Sequence, residues 1–252
     1  MNHGHPTTTT EQKSEQKIAD TIREHGAAKQ GVPQVSDRRL YVQLQVFTKC
    51  GNPKALIHPL EKSGLDSVIY LDTNDPKGVG ILCLSENPAV FTEHFRTLLN
   101  SEPFASLQLK PEMTMLGRTY SLGREQDLED WLLRKPKRNA LNPQNQWAVW
   151  YPLRRKPEFE LLTKEEQGKI LFEHAKIGIS YGLENLAHDV RLACYGIDRN
   201  DNEFVLGLIG PELHPLSRVV QDMRKTQQTA KYMQSLGPFF VGKVLWQSPL
   251  LP

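Results

Sequence analysis

The sequence predicts an α+β fold made of one unit that occurs twice, and three observations predict it. The first half reads as two strands around a polar turn, VIYLDTNDPKGVGILCLS, then a helix, NPAVFTEHFRTLLNS, and a strand, MTMLGRTYS. The second half repeats this order in VRLACYGIDRNDNEFVLGLIG, HPLSRVVQDMRKTQQTAKYMQ and FFVGKVLW. Matching residues also keep a nearly constant spacing of 126, 128 and 125 residues, in the pairs Asp72 and Asp198, Arg96 and Arg224, and Gly117 and Gly242.

An opening strand precedes the first repeat, where Leu40, Val42, Leu44 and Val46 alternate with polar residues. We expect each half, with its opening strand, to be a ferredoxin-like unit whose helices cover one face of an antiparallel sheet. Two such sheets can pack together. The predicted architecture is therefore a pair of duplicated ferredoxin-like units that form a dimeric α+β barrel within one chain.

Four segments follow from this pattern. Residues 1–38 are polar and contain a Thr run, so we expect a flexible tail with one short helix near 18–25, and we assign it no chemistry. Residues 39–123 are the N-terminal half and residues 188–252 the C-terminal half. Residues 124–187 have no counterpart in the first repeat, so we expect this central insertion to contribute most to function.

Composition excludes several classes of protein. The 252 residues are 38% hydrophobic, which is enough for a real core. Neither a signal peptide nor the run of roughly 18 apolar residues that a membrane span needs is present, so we expect a cytoplasmic protein without a membrane span. Cys50, Cys83 and Cys194 are far apart and form no CxxC, which indicates neither a disulfide framework nor a zinc site.

Charge argues against a nucleic-acid binder without removing that alternative. The formal net charge is only +2, so the protein has no strong overall positive field. Basic residues nevertheless cluster at 134–138 and 154–156. Such clusters are usually solvated surface. We therefore expect no nucleic-acid partner.

The central insertion contains a helix with a histidine on its apolar face. Thr163 and Glu166 have the spacing of a capping box, which predicts a helix from there to about Tyr181. The helical period places four residues on one face: Ile170, His174, Ile177 and Tyr181. A histidine in such a stripe is more often a core residue bonded to a carbonyl than a metal ligand, and both interpretations stay open at this point.

An aromatic strand precedes that helix. It reads Trp147-Ala148-Val149-Trp150-Tyr151 and continues into Pro152-Leu153-Arg154-Arg155. One interpretation is a strand end with a solvated basic turn. The other is a pocket wall that holds a large flat ligand by its apolar body and its anionic groups together.

From about Arg39 to Trp246 the chain resembles the chlorite dismutase superfamily, specifically its coproheme decarboxylase branch. The resemblance lies in the Tyr-Pro-Leu-x-Arg run, the EHAKIG helix, the strand pair from Gly196 to Phe204, and DMRKTQQTAKYMQSLGPFFVG. That family has two ferredoxin-like halves per subunit, in agreement with the duplication. The resemblance implies that His174 is the proximal haem ligand and that Tyr151 is oxidised to a radical that drives propionate decarboxylation.

The resemblance also implies residues that hold the porphyrin. Arg155 matches a basic residue, usually Lys, near the propionates, and Arg224 matches an arginine that meets a propionate. Arg138 is a weaker match, because the loop between it and Tyr151 differs in length. Tyr120, in GRTYS, matches a position beside the substrate at which only the tyrosine is shared.

One position departs from the family pattern. Chlorite-decomposing members place an arginine over the open haem face, and the decarboxylase branch commonly has Gln there. Asp189 occupies this position, seven residues before Gly196. Arg191 lies two residues further along the same strand and could point the same way.

The resemblance therefore predicts a hydrogen-peroxide-dependent oxidoreductase that decarboxylates two propionates of iron-coproporphyrin III (coproheme) to give haem b. Its partners would be coproheme and peroxide, and a homopentamer is implied. The residue types suit this chemistry, because arginine binds carboxylates in fixed geometry and a neutral imidazole gives iron one axial bond. The alternatives are a chlorite dismutase or weak haem peroxidase on the same fold, and a non-catalytic haem-binding protein, which would have no need of Tyr151.

Overall fold

The computed structural model describes Asp20 and residues 22–250. Its first elements are two antiparallel strands, β1 (Glu24–Lys29) and β2 (Val32–Ser36). The expectation of a flexible tail is therefore wrong for residues 24–36, and Glu24 and His25 lie in a strand rather than a helix. The remainder of the helix expected near 18–25 lies partly outside the described residues. The hairpin is held by distant residues, because the Glu24 carboxylate accepts hydrogen bonds from Arg118 and Ser121.

The N-terminal half contains strands and short helices that alternate along the chain. They are β3 (Tyr41–Thr48), α1 (Ile57–Ser63), β4 (Asp66–Asp72), β5 (Val79–Ser85), α2 (Ala89–Thr92), α3 (His94–Leu99), β6 (Gln108–Leu109) and β7 (Met115–Arg118). The main strands pair antiparallel in the order β7-β3-β5-β4. The expected single helix is divided into α2 and α3 at Glu93, whose backbone leaves the helical region at φ −113° and ψ −87°.

The C-terminal half has the same sequence of elements with a longer first helix. After a π-helical turn (Asp130–Arg134), the elements are α4 (Lys135–Leu141), β8 (Trp147–Arg155), α5 (Lys164–Leu183), β9 (His188–Ala193), β10 (Phe204–Gly210), α6 (Leu213–Met223), α7 (Gln227–Tyr232), β11 (Met233–Leu236) and β12 (Phe240–Gln247). Strands pair antiparallel in the order β12-β8-β10-β9, and β11 also pairs with β8. The fold class is α+β, as predicted.

Both halves run strand, helix, strand, strand, helix, strand, and the strand order is the same in each. In the C-terminal half the first strand and helix are β8 and α5, which come from the segment 124–187 and correspond to β3 and α1. The expectation that this segment has no counterpart in the first repeat is therefore wrong for these two elements. β8 is hydrogen-bonded to both β10 and β12, so it is an integral strand of the C-terminal sheet.

The two sheets join at both edges. β12 pairs with β4, and β7 meets β9 where Arg118 lies opposite Ala193. The strands therefore close into a ring around an apolar interior that includes Tyr70, Trp150 and Phe240. Because successive strand residues point to opposite faces, Ala148 and Trp150 face this interior. Val149, Tyr151 and Leu153 face outward, toward α6.

Helix α5 begins as the capping box predicts. The Thr163 hydroxyl accepts a hydrogen bond from the Glu166 backbone N–H (3.3 Å), and the Glu166 carboxylate accepts one from the Thr163 N–H (2.9 Å). Caps of this kind stabilise a helix by about 1 kcal/mol. Across residues 22–250, no helix combines the length and the apolar character that a membrane crossing requires.

Helix α6 ends earlier than predicted. The pattern HPLSRVVQDMRKTQQTAKYMQ predicts one continuous helix, whereas the chain turns after Met223 and begins α7 at Gln227. Contacts with α5 explain the break, because Glu173 accepts a hydrogen bond from the Gln227 backbone N–H at 3.0 Å.

Candidate functional site

The candidate site lies on the outer face of the C-terminal sheet, beneath α5 and α6. Apolar side chains from the strands and from α6 line this face, namely Val149, Leu153, Leu208, Leu216 and Val219. Helix α5 packs chiefly against α6, α7 and the beginning of β9. Ile177 and Tyr181 of α5 pack in the same apolar cluster as Val149 and Tyr151, so this face of α5 is directed toward the sheet.

His174 lies on α5 and is half-buried. Its Nδ1 is 3.2 Å from the Thr226 hydroxyl oxygen. Burial lowers the pKa of the imidazole to about 4, and the positive charge of Arg191 contributes in the same direction. His174 is therefore neutral at pH 7, which is the state in which a histidine binds a metal ion.

The surroundings of His174 fit a haem group. Gly178 lies one turn further along α5, and a Cβ added to it would come near only the terminal carbon of Met223, at 3.4 Å. Ile170 and Ile177 lie on the same side of the helix. Beside the imidazole the helix therefore has no side chain at Gly178 and an apolar one at Ile177, and it offers one nitrogen ligand, as an iron porphyrin requires.

Tyr151 is buried in β8, with 4% of its surface exposed. Its ring stacks on Phe239 with a centroid distance of 4.6 Å. Burial raises the pKa of the phenol, and the charge of Asp189 raises it further, while Arg224 opposes this shift. Within the described chain the hydroxyl makes no hydrogen bond. Tyr151 therefore keeps its proton at neutral pH, and its hydroxyl remains available to a ligand.

Asp189 and Arg191 lie on the same face of the sheet as Tyr151. Tyr151 and Arg191 are both paired with Leu206, and Asp189 is paired with Leu208 in the next row. The sequence-based expectation that Arg191 could point the same way as Asp189 is confirmed. The two side chains form an ion pair at 2.8 Å, and Lys135 lies 3.5 Å from the same carboxylate. The charge of Asp189 acts on the pKa values of both His174 and Tyr151, which places the three residues in one electrostatic environment.

The arginines that are expected to hold carboxylates of the ligand differ in whether an acidic side chain already neutralises their charge. Arg155 binds Glu203 (3.1 Å) and Glu160 (3.0 Å), so its charge is already compensated. Arg138, on α4, binds both oxygens of Asp130. Arg224 is exposed at the end of α6, and none of the ion pairs between described residues involves it. Arg224 is therefore the predicted arginine with charge available for an anion.

Tyr120 lies at the edge of a cavity of about 750 Å³. Its ring is 5.6 Å from that of Phe204, and burial raises the pKa of its phenol. Three arginines and a histidine also line the cavity, namely Arg23, His25, Arg39 and Arg118. Among the described residues of the lining, Glu24 is the one acidic side chain, so this part of the wall has an excess of positive charge.

The sequence did not reveal this cavity wall, because residues 23–25 looked like part of a tail. Nor did it reveal Thr226, which sits three residues beyond the break in a helix that looked continuous. The available signal for that break was Thr226 itself, because threonine is a preferred N-cap residue and Thr226 is the N-cap of α7.

The two basic clusters are largely neutralised by acidic neighbours. In the first, Arg134 pairs with Asp127 and Lys137 pairs with Asp66. In the second, Arg154 pairs with Asp201. These cations present little free positive charge, which disfavours a nucleic-acid interface.

Comparison with known proteins agrees with this geometry. Residues 124–245, which include Tyr151, His174, Asp189 and Arg224, match the model of the family described as chlorite dismutase. A structure described as a novel heme-binding protein from Thermus thermophilus is 19% identical, with a TM-score of 0.66, and the alignment covers 83% of this chain and 92% of that one. A mutant chlorite dismutase from Candidatus Nitrospira defluvii is 12% identical, with a TM-score of 0.64 and the same coverage. These similarities to solved structures establish the fold. Residues 124–245 thus match the family model described as chlorite dismutase, and the chain shares the fold of these solved structures over most of its length.

Proposed function

We propose that this protein binds an iron porphyrin through His174 and catalyses the peroxide-dependent decarboxylation of coproheme to haem b. The proposal of decarboxylation rests on the environment of Tyr151. A buried phenol with a raised pKa and a free hydroxyl lies on the sheet face that α5 covers, in the same electrostatic environment as His174. A protein that only stores haem has no use for such a group there.

The substrate chemistry defines what Tyr151 has to do. Each propionate becomes a vinyl group as it loses carbon dioxide, two electrons and a proton. Hydrogen peroxide accepts two electrons and two protons and becomes two waters. The bound iron porphyrin supplies the oxidising chemistry, and the protein supplies position. Tyr151 gives up the hydrogen atom of its hydroxyl and regains one from the propionate, which accounts for the proton and one electron, and the second electron, released as carbon dioxide leaves, would also go to peroxide. The raised pKa of Tyr151 keeps its proton in place between turnovers.

His174 and Arg224 hold the substrate in this proposal. The neutral imidazole of His174 binds the iron, and the apolar face beside Gly178 accepts the macrocycle. Arg224, without a carboxylate partner in the described part of the chain, binds one propionate. The positive charge of Arg224 also opposes the rise in the pKa of Tyr151, so the guanidinium acts on the phenol. A propionate bound to Arg224 would therefore lie on the side of the phenol.

The remaining propionates need further cations. Arg155 can contribute only if a carboxylate of the substrate replaces Glu160 or Glu203. The cavity beside Tyr120 offers other candidates, because Arg39 and Arg118 share the single carboxylate of Glu24. We propose that carboxylates on this side of the porphyrin extend toward that cavity. That Arg138 binds a propionate stays a prediction from the resemblance. Its bidentate pair with Asp130 does not support this role.

A non-catalytic haem-binding protein is the second candidate. The ion pair between Asp189 and Arg191 favours it, because the Asp189 carboxylate compensates the charge of Arg191 on this face of the sheet. A structurally similar protein is also described as heme-binding. A chlorite dismutase or weak haem peroxidase on the same fold is the third candidate.

One experiment separates these candidates. Purified protein is loaded with ferric coproporphyrin III, hydrogen peroxide is added in small portions, and the porphyrin is identified by mass. The proposal predicts the loss of two carboxyl groups as carbon dioxide, with haem b as product. Tight binding with an unchanged porphyrin mass would support the haem-binding candidate instead.

Two structural proposals accompany this function. We infer that the two halves are ferredoxin-like units related by duplication, which the shared order of elements and strands supports. By family resemblance we also propose a homopentamer. Light scattering on the eluted peak of a sizing column tests this proposal, and a monomer mass would contradict it.

A further inference from the structure

Thr226 connects His174 to the end of α6. Its side chain is buried, with 2% of the residue exposed. The hydroxyl donates a hydrogen bond to the Met223 carbonyl oxygen at 2.7 Å. The same oxygen atom lies 3.2 Å from Nδ1 of His174.

The number of protons available fixes the direction of the second hydrogen bond. A threonine hydroxyl has one proton, and a carbonyl oxygen has none to donate. The Thr226 proton is therefore used toward Met223, and toward His174 the hydroxyl oxygen can only accept. Nδ1 of His174 must carry the ring proton. In the neutral ring, Nε2 then carries the lone pair.

Neighbouring contacts hold this arrangement in place. Glu173 and His174 are consecutive in α5, and their partners Gln227 and Thr226 are consecutive at the start of α7. Two helical turns further along the same face, Tyr181 donates a hydrogen bond to Asp222 at 2.9 Å. Helix α5 is thus tied to the end of α6 and to the α6–α7 turn, and the contacts of Glu173 and His174 with that turn leave the imidazole little freedom to rotate away.

We propose that Thr226 is a positioning residue for His174, which fixes the Nδ1–H tautomer and leaves the Nε2 lone pair for the iron of a porphyrin. The part of this proposal that concerns iron rests on the proposed haem binding. The part that concerns the tautomer of His174 is independent of it. The competing interpretation is that Thr226 only ends α6 and that its proximity to His174 has no consequence.

The tautomer is measured first, in the protein without porphyrin. Nitrogen-15 NMR of histidine-labelled protein at pH 7.5 distinguishes a protonated ring nitrogen from an unprotonated one. We expect His174 to be protonated at Nδ1 in the wild type and in Thr226→Ser, and to shift toward Nε2–H in Thr226→Val. Thr163→Ala is the matched control, because it removes a hydroxyl that caps α5 without contacting His174. Protonation at Nε2 in the wild type, or an unchanged tautomer in Thr226→Val, would overturn the proposal.

Porphyrin binding is measured second, with haem b as the probe. Thr226→Val should bind it roughly 10-fold more weakly and shift the iron–histidine stretching band in Raman spectra, while Thr226→Ser and Thr163→Ala behave like the wild type. Equal affinity and an equal band in Thr226→Val would refute the role toward iron. If the wild type binds no haem b at all, the proposed function fails, and the tautomer result still decides whether Thr226 orients His174.

Discussion

Tyr151 and Arg191 lie in one cross-strand row of the C-terminal sheet, each paired with Leu206 of β10. Two strand spacings separate them, about 10 Å between Cα atoms. A guanidinium and a phenol therefore share the face that α5 covers. The guanidinium is not free, however, because Asp189 binds its Nε at 2.8 Å.

This ion pair predicts a poor response to chlorite. By the resemblance to the chlorite dismutase superfamily, Asp189 stands where chlorite-decomposing members place an arginine, and Arg191 is compensated by the Asp189 carboxylate. Chlorite added to the haem-loaded protein should therefore release little oxygen and mainly bleach the haem. An oxygen electrode and the Soret absorbance follow the two processes together. Sustained oxygen release, abolished by Arg191→Gln, would show that Arg191 replaces the family's arginine.

Replacing His174 by alanine should remove the iron ligand. We expect the affinity for haem b to fall by more than the roughly 10–100-fold that is typical of losing an outer hydrogen-bond partner of a ligand. The Soret band should shift, and added imidazole should partly restore it. His188→Gln is the control, because His188 lies opposite Ile209 on the other face of the sheet. Titration of each variant with haem b makes the comparison, and equal affinities for His174→Ala and the wild type would exclude His174 as the ligand.

Arg224 and Arg138 should differ in their contribution to coproheme binding. Arg224 has no carboxylate partner among residues 22–250, so Arg224→Gln should weaken binding about 10-fold, the effect of losing about 1.4 kcal/mol. Arg138 is occupied by Asp130, so Arg138→Gln should bind as the wild type does. Fluorescence quenching during titration gives both dissociation constants. The reverse order would mean that the α4 side, rather than the end of α6, meets the propionates.

The depressed pKa of His174 predicts a loss of stability in acid for the protein without porphyrin. In the folded state the imidazole takes up a proton only near pH 4, whereas in the unfolded chain it does so below about 6.5. Between pH 7 and pH 5 the unfolded state therefore binds the additional proton, and the free energy of unfolding should fall by roughly 2 kcal/mol from this residue. Urea unfolding of the wild type and of His174→Gln at both pH values measures the difference. His188, whose pKa is also lowered, is present in both proteins. An equal fall in the free energy of unfolding between pH 7 and pH 5 in the wild type and in His174→Gln would contradict the lowered pKa of His174.

Much of the fold could be predicted from local sequence. Alternation at Leu40–Val46 predicted β3, and the Thr163 and Glu166 pair predicted the start of α5. The hairpin at 24–36 could not be predicted, because it is held by Glu24 contacts to Arg118 and Ser121, almost a hundred residues away. The break after Met223 was missed for a similar reason, since Glu173 on another helix bonds the backbone of Gln227.

The candidate site shows the same limit. Motifs pointed to His174 and Tyr151, and the structure places both in one electrostatic environment. The pairing of Arg155 with Glu203 could not be read from the sequence, because the two residues are 48 positions apart and meet only through the pairing of β8 with β10. The register that puts Arg191 in the same cross-strand row as Tyr151 likewise depends on two strand pairings.

The hydroxyl of Tyr151 is the atom on which the proposed chemistry depends. Tyr151→Phe keeps the ring that stacks on Phe239, so the protein should fold, with a change in stability below about 1 kcal/mol, and should still bind coproheme. Tyr181→Phe is the control, because it removes a hydroxyl that donates to Asp222 at the far end of the same face.

Haem b formed per bound coproheme, measured by mass after peroxide addition, tests the account most directly. In Tyr151→Phe the yield should fall by at least roughly 100-fold, as expected when a group that transfers hydrogen in the reaction is lost. Tyr181→Phe should turn over like the wild type. Haem b formation by Tyr151→Phe at the wild-type rate would contradict the proposed mechanism.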